Sequence, residues 1–322
     1  MLFNLSYFSQ NQKTPDCAVQ LKVELLESGK IGDISLFNSS CNDRSLEQNA
    51  IDAVKKIKFE PSKNNGKAIT TVKTVEYTFY LNDDLKTDEK AEAVLKKAVD
   101  KLGGEKYLQV KSTVGRGRFS VIREGAIVSF QSFTDVIVYP DKERTEFKDG
   151  GVKTVQTNTG ETGWIFDGGA ETINLQNKDQ IEGFKRGLRV SLDNLLRGYW
   201  RGKGVLSYVG KRAATIGKRS EVVKLTFADE FAVEFEFSDE YLPVKAIYKR
   251  LNADKEEVKE EDRYAQFVDF QGIKTPLIVD HFSNGAQTSR INYESVEFNK
   301  TISDKIFVKP NSPKELKKDL KL

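Results

Sequence analysis

Apolar and polar residues alternate near the start of the chain, as they do in a β-strand with one buried face. Every second residue from Val19 to Leu25 is apolar, and Ile34 and Leu36 continue the alternation after the turn sequence ESGK. Two alternating segments joined by a short polar turn predict a β-hairpin.

A helical spacing follows the hairpin. Apolar residues recur three and four positions apart, which is the pattern of one side of an amphipathic helix. They are Leu46, Ala50, Ala53, Val54 and Ile57. Pro61 cannot continue this helix, and the sequence NNG predicts a turn in which Gly66 takes a positive φ.

Alternation returns at Val75, Tyr77 and Phe79, which predicts a last strand. The predicted element order is therefore β-β-α-β. We assign this small domain to residues 15–82.

The remainder of the chain begins with an amphipathic helix, TDEKAEAVLKKAVDKLGG, and continues as many short strands separated by turn sequences. The clearest alternation is FAVEFEF at 231–237. Between the strands, DQIEGFKRGLRVSLDNLLRGYW has helical spacing but contains three glycines, so it forms either core packing or a movable cover. We predict an α+β protein whose residues 87–311 form one large curled antiparallel sheet with its apolar face covered by helices.

The first domain resembles the C-terminal domain of the TonB energy-transducer family. The resemblance lies in the hairpin VELLESGKIGDISL, the segment AIDAVKKIKFEPSKNNGKAI and the closing VEYTFYL. In that family the domain is periplasmic and binds an extended peptide of an outer-membrane receptor by adding a strand to its sheet. The resemblance implies that Val75, Tyr77 and Phe79 lie on the strand that binds a partner.

The second part resembles the LolA/LolB-like outer-membrane lipoprotein carriers and related lipoprotein-sorting proteins. The matching segments are AEAVLKKAVDKLGG, YPDKERTEF, GETGWIFDGG, FEFSDEYLPVKAIYK, YAQFVDFQGIKTPLIVDHF and IFVKP. The family fold is an incomplete antiparallel barrel whose mouth is plugged by helices. The resemblance implies a hydrophobic cavity that holds acyl chains.

A cavity for acyl chains needs aromatic and branched side chains on one face of the sheet. The candidates on the strands and the covering helix are Phe130, Phe231, Val233, Phe235, Phe237, Tyr248, Leu188, Leu192 and Leu195. Trp164 and Phe166 lie in a loop-like segment and are expected at the rim. For each of these residues, ordinary core packing is the alternative.

The net charge of +3 is near balance, which argues against nucleic-acid binding. The segment from Lys185 to Arg219 is nevertheless basic, with ten Lys or Arg and one acidic residue, Asp193. It forms either a solvated face or a docking patch for anionic headgroups. The residues that would contact a membrane surface are Lys185, Arg186, Arg189, Arg197 and Arg201.

Cysteine and histidine are scarce. The chain has two cysteines and a single histidine, His281, so we expect no metal site. The hairpin places Cys17 and Cys41 opposite each other to within one residue, which predicts a disulfide or a near contact, and two separate thiols are the alternative. No nucleophile-elbow or P-loop motif occurs, and we expect neither catalytic residues nor a cofactor.

No run of eighteen apolar residues occurs, so no membrane-spanning helix is expected. The start, MLFNLSYFSQNQK, has no basic residue before its short apolar stretch and is not a secretory signal as it stands. Either the protein is cytoplasmic, or its targeting segment has been removed or was missed when the start was assigned. Because the resemblance of the first domain implies the periplasm, we expect a periplasmic protein whose targeting segment is absent from this sequence.

Together these patterns favour a periplasmic carrier or binding protein for a lipid or lipid-modified ligand. The first domain would dock it to an outer-membrane or inner-membrane envelope protein. The alternative is a protein-interaction module of the envelope that acts by strand addition and binds no ligand. A third hypothesis, an envelope hydrolase, requires a clustered acid and base.

Overall fold

A computed structural model describes residues 17–41, 44–79, 88–214, 217–252, 254–316 and 320. The chain divides into two compact units, residues 1–86 and 87–322. The linker that the sequence predicts at 82–86 lies outside the described residues.

The first unit contains a three-stranded antiparallel sheet in the order β2-β1-β5, and the predicted β-β-α-β fold is confirmed. Its elements are β1 (Cys17–Leu25), β2 (Ile31–Ser39), α1 (Arg44–Val54), β3 (Ser62–Asn64), β4 (Lys67–Ile69) and β5 (Thr71–Phe79). β3 and β4 form a separate small hairpin. Its turn residues Asn65 and Gly66 have φ values of 48° and 81°, the conformation that Asn-Gly favours in tight hairpins.

β1 is the centre of the first unit. Val19, Leu21 and Val23 are fully buried and pack against Ala50 and Val54 of α1. The alternation of this strand is therefore that of a sheet with one face covered by a helix.

A disulfide joins Cys17 and Cys41, with an S–S distance of 2.08 Å. A bulge next to the pair Gln20–Asn38 shifts the β1–β2 register by one residue. This shift brings the two cysteines to the same level at the end of the hairpin.

The two edges of the small sheet differ in regularity. β5 pairs with β1 over nine consecutive residues without a bulge, whereas β2 has two register shifts. Bulges on an edge strand hinder the addition of a further strand. Among the described residues of this unit, β5 is therefore the edge better suited to a partner strand.

The second unit has short helices and many strands. Its helices are α2 (Glu89–Leu102), α3 (Glu105–Leu108), α4 (Lys178–Val190) and α5 (Leu192–Leu196). Its strands are β6 (Ser112–Arg123), β7 (Ala126–Val138), β8 (Lys142–Asp149), β9 (Val152–Thr159), β10 (Gly163–Asp167), β11 (Thr172–Leu175), β12 (Gly204–Ala213), β13 (Arg219–Phe227), β14 (Ala232–Phe237), β15 (Pro243–Leu251), β16 (Glu257–Phe270), β17 (Ile273–Ser283) and β18 (Ala286–Phe298). Two 3-10 turns, Asp304–Phe307 and Pro313–Leu316, follow.

These thirteen strands form one antiparallel sheet in the order β11-β10-β9-β8-β7-β6-β18-β17-β16-β15-β14-β13-β12. Neighbouring strands are consecutive in the chain except where β18 pairs with β6. The sheet is not closed into a barrel, because β11 and β12 remain its two edges. The large antiparallel sheet with covering helices that the sequence predicts is confirmed.

The sheet is strongly curled. Its edge strands would lie about 58 Å apart in a flat sheet, at roughly 4.8 Å per strand. Helix α4 nevertheless reaches both ends: Lys185 Nζ lies 2.7 Å from Glu161, between β9 and β10, and Arg189 Nη1 lies 2.9 Å from Asp229, between β13 and β14. Since these two basic residues are one helical turn apart, the two ends of the sheet must lie close to each other.

The sheet has two distinct faces. Phe235 and Ala246 lie on the face that packs against α2 and α5, which we call the helix face. The opposite face, which we call the outer face, carries Trp164 and Phe166 in a cluster with Leu316 of the last 3-10 turn.

Trp164 and Phe166 do not lie in a rim loop, so that sequence prediction is wrong. Both belong to strand β10 and are buried. The indole Nε1 of Trp164 donates to the carbonyl of Phe307 at 2.8 Å. The segment after β18 covers both side chains. The glycines on either side of WIFD made this strand resemble a loop in the sequence.

Asp88 ties the start of α2 to the edge strand β12. Its Oδ1 accepts from the backbone N–H of Lys90 at 2.8 Å, and its Oδ2 accepts from that of Tyr208 at 3.2 Å. Its own N–H donates to the carbonyl of Leu206 at 3.1 Å. One carboxylate therefore caps a helix and closes part of a sheet edge.

We expect Asp88→Ala to lower the thermal unfolding midpoint of the second unit by several degrees, because backbone donors on both α2 and β12 lose their acceptor. Asp88→Ser should give an intermediate midpoint, since serine caps the helix but has no second oxygen for Tyr208. Scanning calorimetry of the full chain at neutral pH measures both. A midpoint for Asp88→Ser equal to that of wild type would contradict the second role of Asp88, and equal midpoints for the two variants would contradict its capping role.

Candidate functional site

One part of the helix face is filled. Val233, Phe235 and Phe237 are fully buried in a core that also contains Leu195 and Trp200. Three more of the residues proposed for ligand binding are half-buried at the border of this core: Leu192, Phe231 and Tyr248. The buried candidates pack against other protein side chains: Val233, Phe235, Phe237 and Leu195. A ligand would reach them only if the helices separated from the sheet.

Arg197 fastens α5 to the sheet. Its side chain is 3% exposed, and its Nε lies 2.7 Å from Asp193 Oδ1. Its Nη1 donates to the carbonyls of Tyr107 and Val110, at 2.6 and 3.2 Å. The rings of Tyr107 and Tyr139 lie 4.2 and 4.3 Å from the guanidinium carbon, and both hydroxyls donate to Asp193 at 2.9 Å. The buried charges are thus compensated by several hydrogen bonds, which a stable buried pair requires.

Helix α4 is packed more loosely than α5. The core cluster of the helix face includes only Val190 from this helix. Its other large apolar residues, Ile181, Phe184 and Leu188, are half-buried. α5 therefore packs into the core, whereas α4 leaves three large apolar side chains half-buried. The movable cover stays a prediction for α4.

Exposed polar contacts hold α4 in place. Arg189 forms two hydrogen bonds to Asp229, at 2.9 and 2.5 Å. Its guanidinium carbon lies 4.1 Å from the ring of Phe227 and 4.5 Å from that of Phe231. The carboxylates at the two ends of the helix, Glu161 and Asp229, are 82% and 61% exposed. Exposed ion pairs of this kind contribute only about 0.2–1 kcal/mol each.

The basic residues of this region are mostly paired with carboxylates. Lys185, Arg189, Arg197 and Arg201 each form an ion pair. Arg186 is half-buried. Burial of Tyr248 raises the pKa of its hydroxyl to about 12, and the positive charge of Arg186 acts in the opposite direction. Arg197 is buried and does not reach a membrane surface, whereas Lys185, Arg189 and Arg201 are partly exposed, and for these three the docking patch stays a prediction.

Aromatic side chains gather on another part of the helix face, where β18, β6, β7 and β8 adjoin. The ring centroids of Phe119 and Phe147 are 5.6 Å apart, and those of Phe133 and Tyr293 are 5.4 Å apart with an interplanar angle of 79°. The strand register places Phe119 on the same face as Tyr264 of the helix-face core. We call Phe119, Phe133, Phe147 and Tyr293 the aromatic patch. Phe133 is buried, and the other three are half-buried.

Two glycines make room for Tyr293. A Cβ atom on Gly115 would lie 2.6 Å from the Tyr293 ring, and one on Gly117 would lie 1.9 Å from the carbonyl oxygen of Asn292. The sequence GRGR therefore serves the close approach of β6 and β18. In the sequence, Gly115 and Gly117 are the feature that could have indicated a bulky neighbour such as Tyr293.

Phe130 lies on the outer face and not on the helix face. It pairs with Ser120 in the strand register, and the guanidinium carbon of Arg118 lies 5.1 Å from its ring. Residues three apart in a strand point to opposite faces, so Phe133 and not Phe130 faces the helix side. The prediction that Phe130 lies on the ligand-binding face is therefore wrong.

Two carboxyl groups accompany the aromatic patch. Thr145 Oγ1 donates to Asp135 Oδ1 at 2.8 Å and lies 3.3 Å from Glu143 Oε1. Burial, and after it the charge of Glu143, raises the pKa of Asp135 well above its ordinary range, and burial also raises the pKa of Glu143. A protonated carboxyl here is able to donate a hydrogen bond to an uncharged oxygen of a ligand.

His281 pairs with Asp262 across β16 and β17. Its Nδ1 lies 2.5 Å from Asp262 Oδ1. Burial lowers the pKa of His281, but the hydrogen bond and charge of Asp262 outweigh burial, so the pKa lies above its ordinary value. The acid and base that a hydrolase needs are thus adjacent, and their contact stabilises the protonated imidazole and not a free base.

The described part of the chain contains neither a metal-binding cluster nor a membrane-spanning helix. Among those residues, no group of three or more His, Cys, Asp or Glu is arranged to hold a metal ion. None of the helices described there is long and apolar enough to cross a membrane.

The first unit is similar to a known family. Residues 11–81 match the family model described as Gram-negative bacterial TonB protein C-terminal. The resemblance that the sequence predicted for this part of the chain is confirmed. No curated protein matches the chain.

The fold is similar to three solved structures. A DUF1329 family protein from Desulfovibrio piger is 12% identical, with a TM-score of 0.50 over 69% of this chain and 98% of that chain. A LolA superfamily protein from Nitrosomonas europaea is 15% identical, with a TM-score of 0.47 over 68% and 97%. A domain described as outer membrane lipoprotein-sorting, from Vibrio parahaemolyticus, is 10% identical, with a TM-score of 0.46 over 71% and 100%. These similarities concern the fold.

Asp135→Asn should increase the free energy of unfolding at about pH 8 by at least about 1 kcal/mol. Because the pKa of Asp135 is higher in the folded protein than in the unfolded chain, ionisation of this carboxyl destabilises the fold. That loss is present above the folded pKa and disappears as the pH falls below the unfolded pKa, at about 4. Urea unfolding across this pH range measures the difference between variant and wild type.

The exposed carboxylate Asp149, in the next hairpin, supplies the control. Asp149→Asn should change stability little at any pH. A stability gain in Asp135→Asn that does not vary with pH would contradict the raised pKa.

Proposed function

We propose that this chain is a periplasmic carrier or binding protein for a lipid or lipid-modified ligand. The ligand lies on the helix face, beside the aromatic patch and beneath α4. The first unit docks the protein to an envelope partner by strand addition. The function is binding and transfer, and it includes no covalent step.

The attachment of α4 is the observation that supports this proposal most. The helix joins the two ends of a curled sheet, yet its apolar residues Ile181, Phe184 and Leu188 remain only half-buried. A helix whose sole task was to complete the core would bury that side. An apolar ligand chain between α4 and the sheet would cover it.

The cover divides into a fixed and a movable part. Arg197 is buried and fastens α5 through hydrogen bonds to the carbonyls of Tyr107 and Val110, and leaving such a buried charge without its partners costs about 3–5 kcal/mol. The exposed ion pairs of α4 cost about 0.2–1 kcal/mol each to break. α4 can therefore separate from the sheet while α5 stays in place. Its movement would give access to Leu188, Phe231 and Tyr248.

The chemistry of the surface fits an acyl chain with an uncharged polar group. Half-buried aromatic rings gain about 25 cal/mol for each Å² of apolar area that a chain covers. Asp135 and Glu143, whose pKa values are raised by burial, are suited to donate to an ester or amide carbonyl. A ligand of this kind is bound by apolar burial and oriented by one hydrogen bond.

Phe119→Ala should weaken the binding of a fluorescent fatty acid by about tenfold, because it removes part of the apolar surface that the chain covers. Titration of the full chain, monitored by fluorescence, gives the Kd of wild type and variant. Native mass spectrometry after organic extraction identifies any lipid that copurifies.

Phe37→Ala is the matched control, because Phe37 is an exposed aromatic residue of the first unit. Its Kd should equal that of wild type. If wild type binds neither fatty acid nor phospholipid, the second unit is not a lipid-binding domain. An equal loss in Phe37→Ala would place the binding surface elsewhere.

The second candidate function is protein interaction without a ligand, and the regular edge of β5 favours it. Val75, Tyr77 and Phe79 pack against the core of their own unit. A partner strand would therefore contact the backbone of β5 and not these three side chains. The bulges of β2 make the opposite edge less suitable.

Binding of an extended peptide should slow amide hydrogen exchange on β5 and leave β2 unchanged. A panel of synthetic peptides from envelope proteins, added to the full chain and followed by hydrogen-exchange mass spectrometry, tests this. If the peptide slows exchange on β2 and leaves exchange on β5 unchanged, the partner strand binds at the β2 edge. Fatty-acid binding without any peptide effect would favour the carrier alone.

A further inference from the structure

The hairpin of β6 and β7 extends beyond its neighbours in the sheet. The pairing of β6 with β18 ends at Val121, and that of β7 with β8 ends at Ser132. We call residues 122–131 the finger. Its turn residues Glu124 and Gly125 have φ values of 50° and 77°, the conformation of a tight two-residue turn. The finger is thus a short two-stranded projection of defined shape.

The finger exposes large apolar side chains. Ile127, Val128 and Phe130 are 63%, 53% and 48% exposed. A bulge at Val128 brings Ile127 and Phe130 to the same face, the outer face, where Ile122 pairs with Ile127. A cluster of exposed apolar residues on a projection marks a contact surface.

The free edge of β7 carries the bulge at Val128 but lacks the charges and proline that usually protect an edge strand. Residues 126–131, AIVSFQ, contain no charge and no proline. The edge strand β12 of the same sheet carries Lys211 and Arg212, and Asp88 closes part of it. Natural proteins protect exposed edges because unprotected ones associate. The contrast within one sheet indicates that the finger is kept open for contact.

Cations border the apolar cluster. Arg118 and Lys148 lie in one row of the strand register, about 7 Å behind Phe130 along the strand. Arg118 also forms an ion pair with Glu294. Arg123 lies at the other end of the cluster, next to the turn.

On the outer face, Arg118 and Lys148 lie on one side of the apolar cluster, and this order matches the layers of a phospholipid surface, where phosphates lie above acyl chains. A partner strand would pair with the free edge but leave the apolar cluster of the outer face in water. A lipid surface covers that cluster. It also leaves water at headgroup level to hydrogen-bond the backbone of the edge, which the hydrocarbon core would not allow.

We propose that the outer face of the finger docks on a phospholipid bilayer. Ile122, Ile127 and Phe130 reach the boundary between headgroups and acyl chains, and Arg118 and Lys148 contact lipid phosphates. This contact is separate from the basic segment around α4. It does not require that the protein carry a lipid ligand.

Vesicle flotation tests the docking. The full chain should float with vesicles of phosphatidylethanolamine and phosphatidylglycerol. Ile127→Ser combined with Phe130→Ser should lower the vesicle affinity at least about tenfold. Leu251→Ser is the matched control, since Leu251 is 64% exposed at the end of β15, and it should float as wild type does. Thermal unfolding verifies that all variants fold.

A fluorescent label reports where the contact occurs. Both natural cysteines are in the disulfide, so a thiol-reactive, environment-sensitive dye labels only an introduced cysteine. On addition of vesicles, dye at Val128→Cys should shift its emission to the blue. Dye at Leu251→Cys should not shift.

Three outcomes would overturn the proposal. They are the absence of flotation, an equal loss of flotation in Leu251→Ser, and dimers that disappear in the double serine variant while flotation persists. The last outcome would assign the finger to contact between two copies of the chain. Flotation without fatty-acid binding would support the finger and reject the lipid-carrier proposal, so the two proposals fail separately.

Discussion

The buried guanidinium of Arg197 is the constraint on which the second unit depends. It joins α5 to two tyrosine rings and to the backbone that leads into β6. The segment that carries α4 and α5 is also the only link in the chain between the edge strands β11 and β12. Fixing this link at one buried point holds the sheet in its curled form, because a short helical segment reaches both edges only when they are close.

The difference between buried and exposed charge pairs then separates structure from movement. At Arg197 the cation is out of water and compensated by hydrogen bonds, so its contacts are specific and costly to break. At Lys185 and Arg189 the partner carboxylates remain mostly in water, so the contacts orient α4 without anchoring it strongly. Basic residues that are close together in the sequence thus hold α5 firmly and α4 only weakly.

The alternation of the strands and the spacing of the helices were enough to predict both folds. The faces of individual residues were not, because a strand has no preferred face until its pairing partners are known. Phe130 and Phe133 illustrate this: both are aromatic residues of one strand, and only the register shows which one faces the helices. The burial of Arg197 was hidden for a similar reason, since the carbonyls that it contacts, those of Tyr107 and Val110, are 90 and 87 residues away. Trp164 and Phe166 are covered by residues that follow β18, and no local pattern indicates such cover.

The junction of β18 with β6 has a consequence for the order in which the second unit assembles. Contacts across this junction join residues far apart in the chain, such as Arg116 and Glu297, 181 positions apart. Strands β6 to β11 are synthesised first, yet β6 has an unpaired side until the last strand of the sheet arrives. Folding of a topology with such high contact order is slow, and its early strands expose an edge while they wait. A chain of this kind benefits from being held unfolded, or shielded, until its final strand is available.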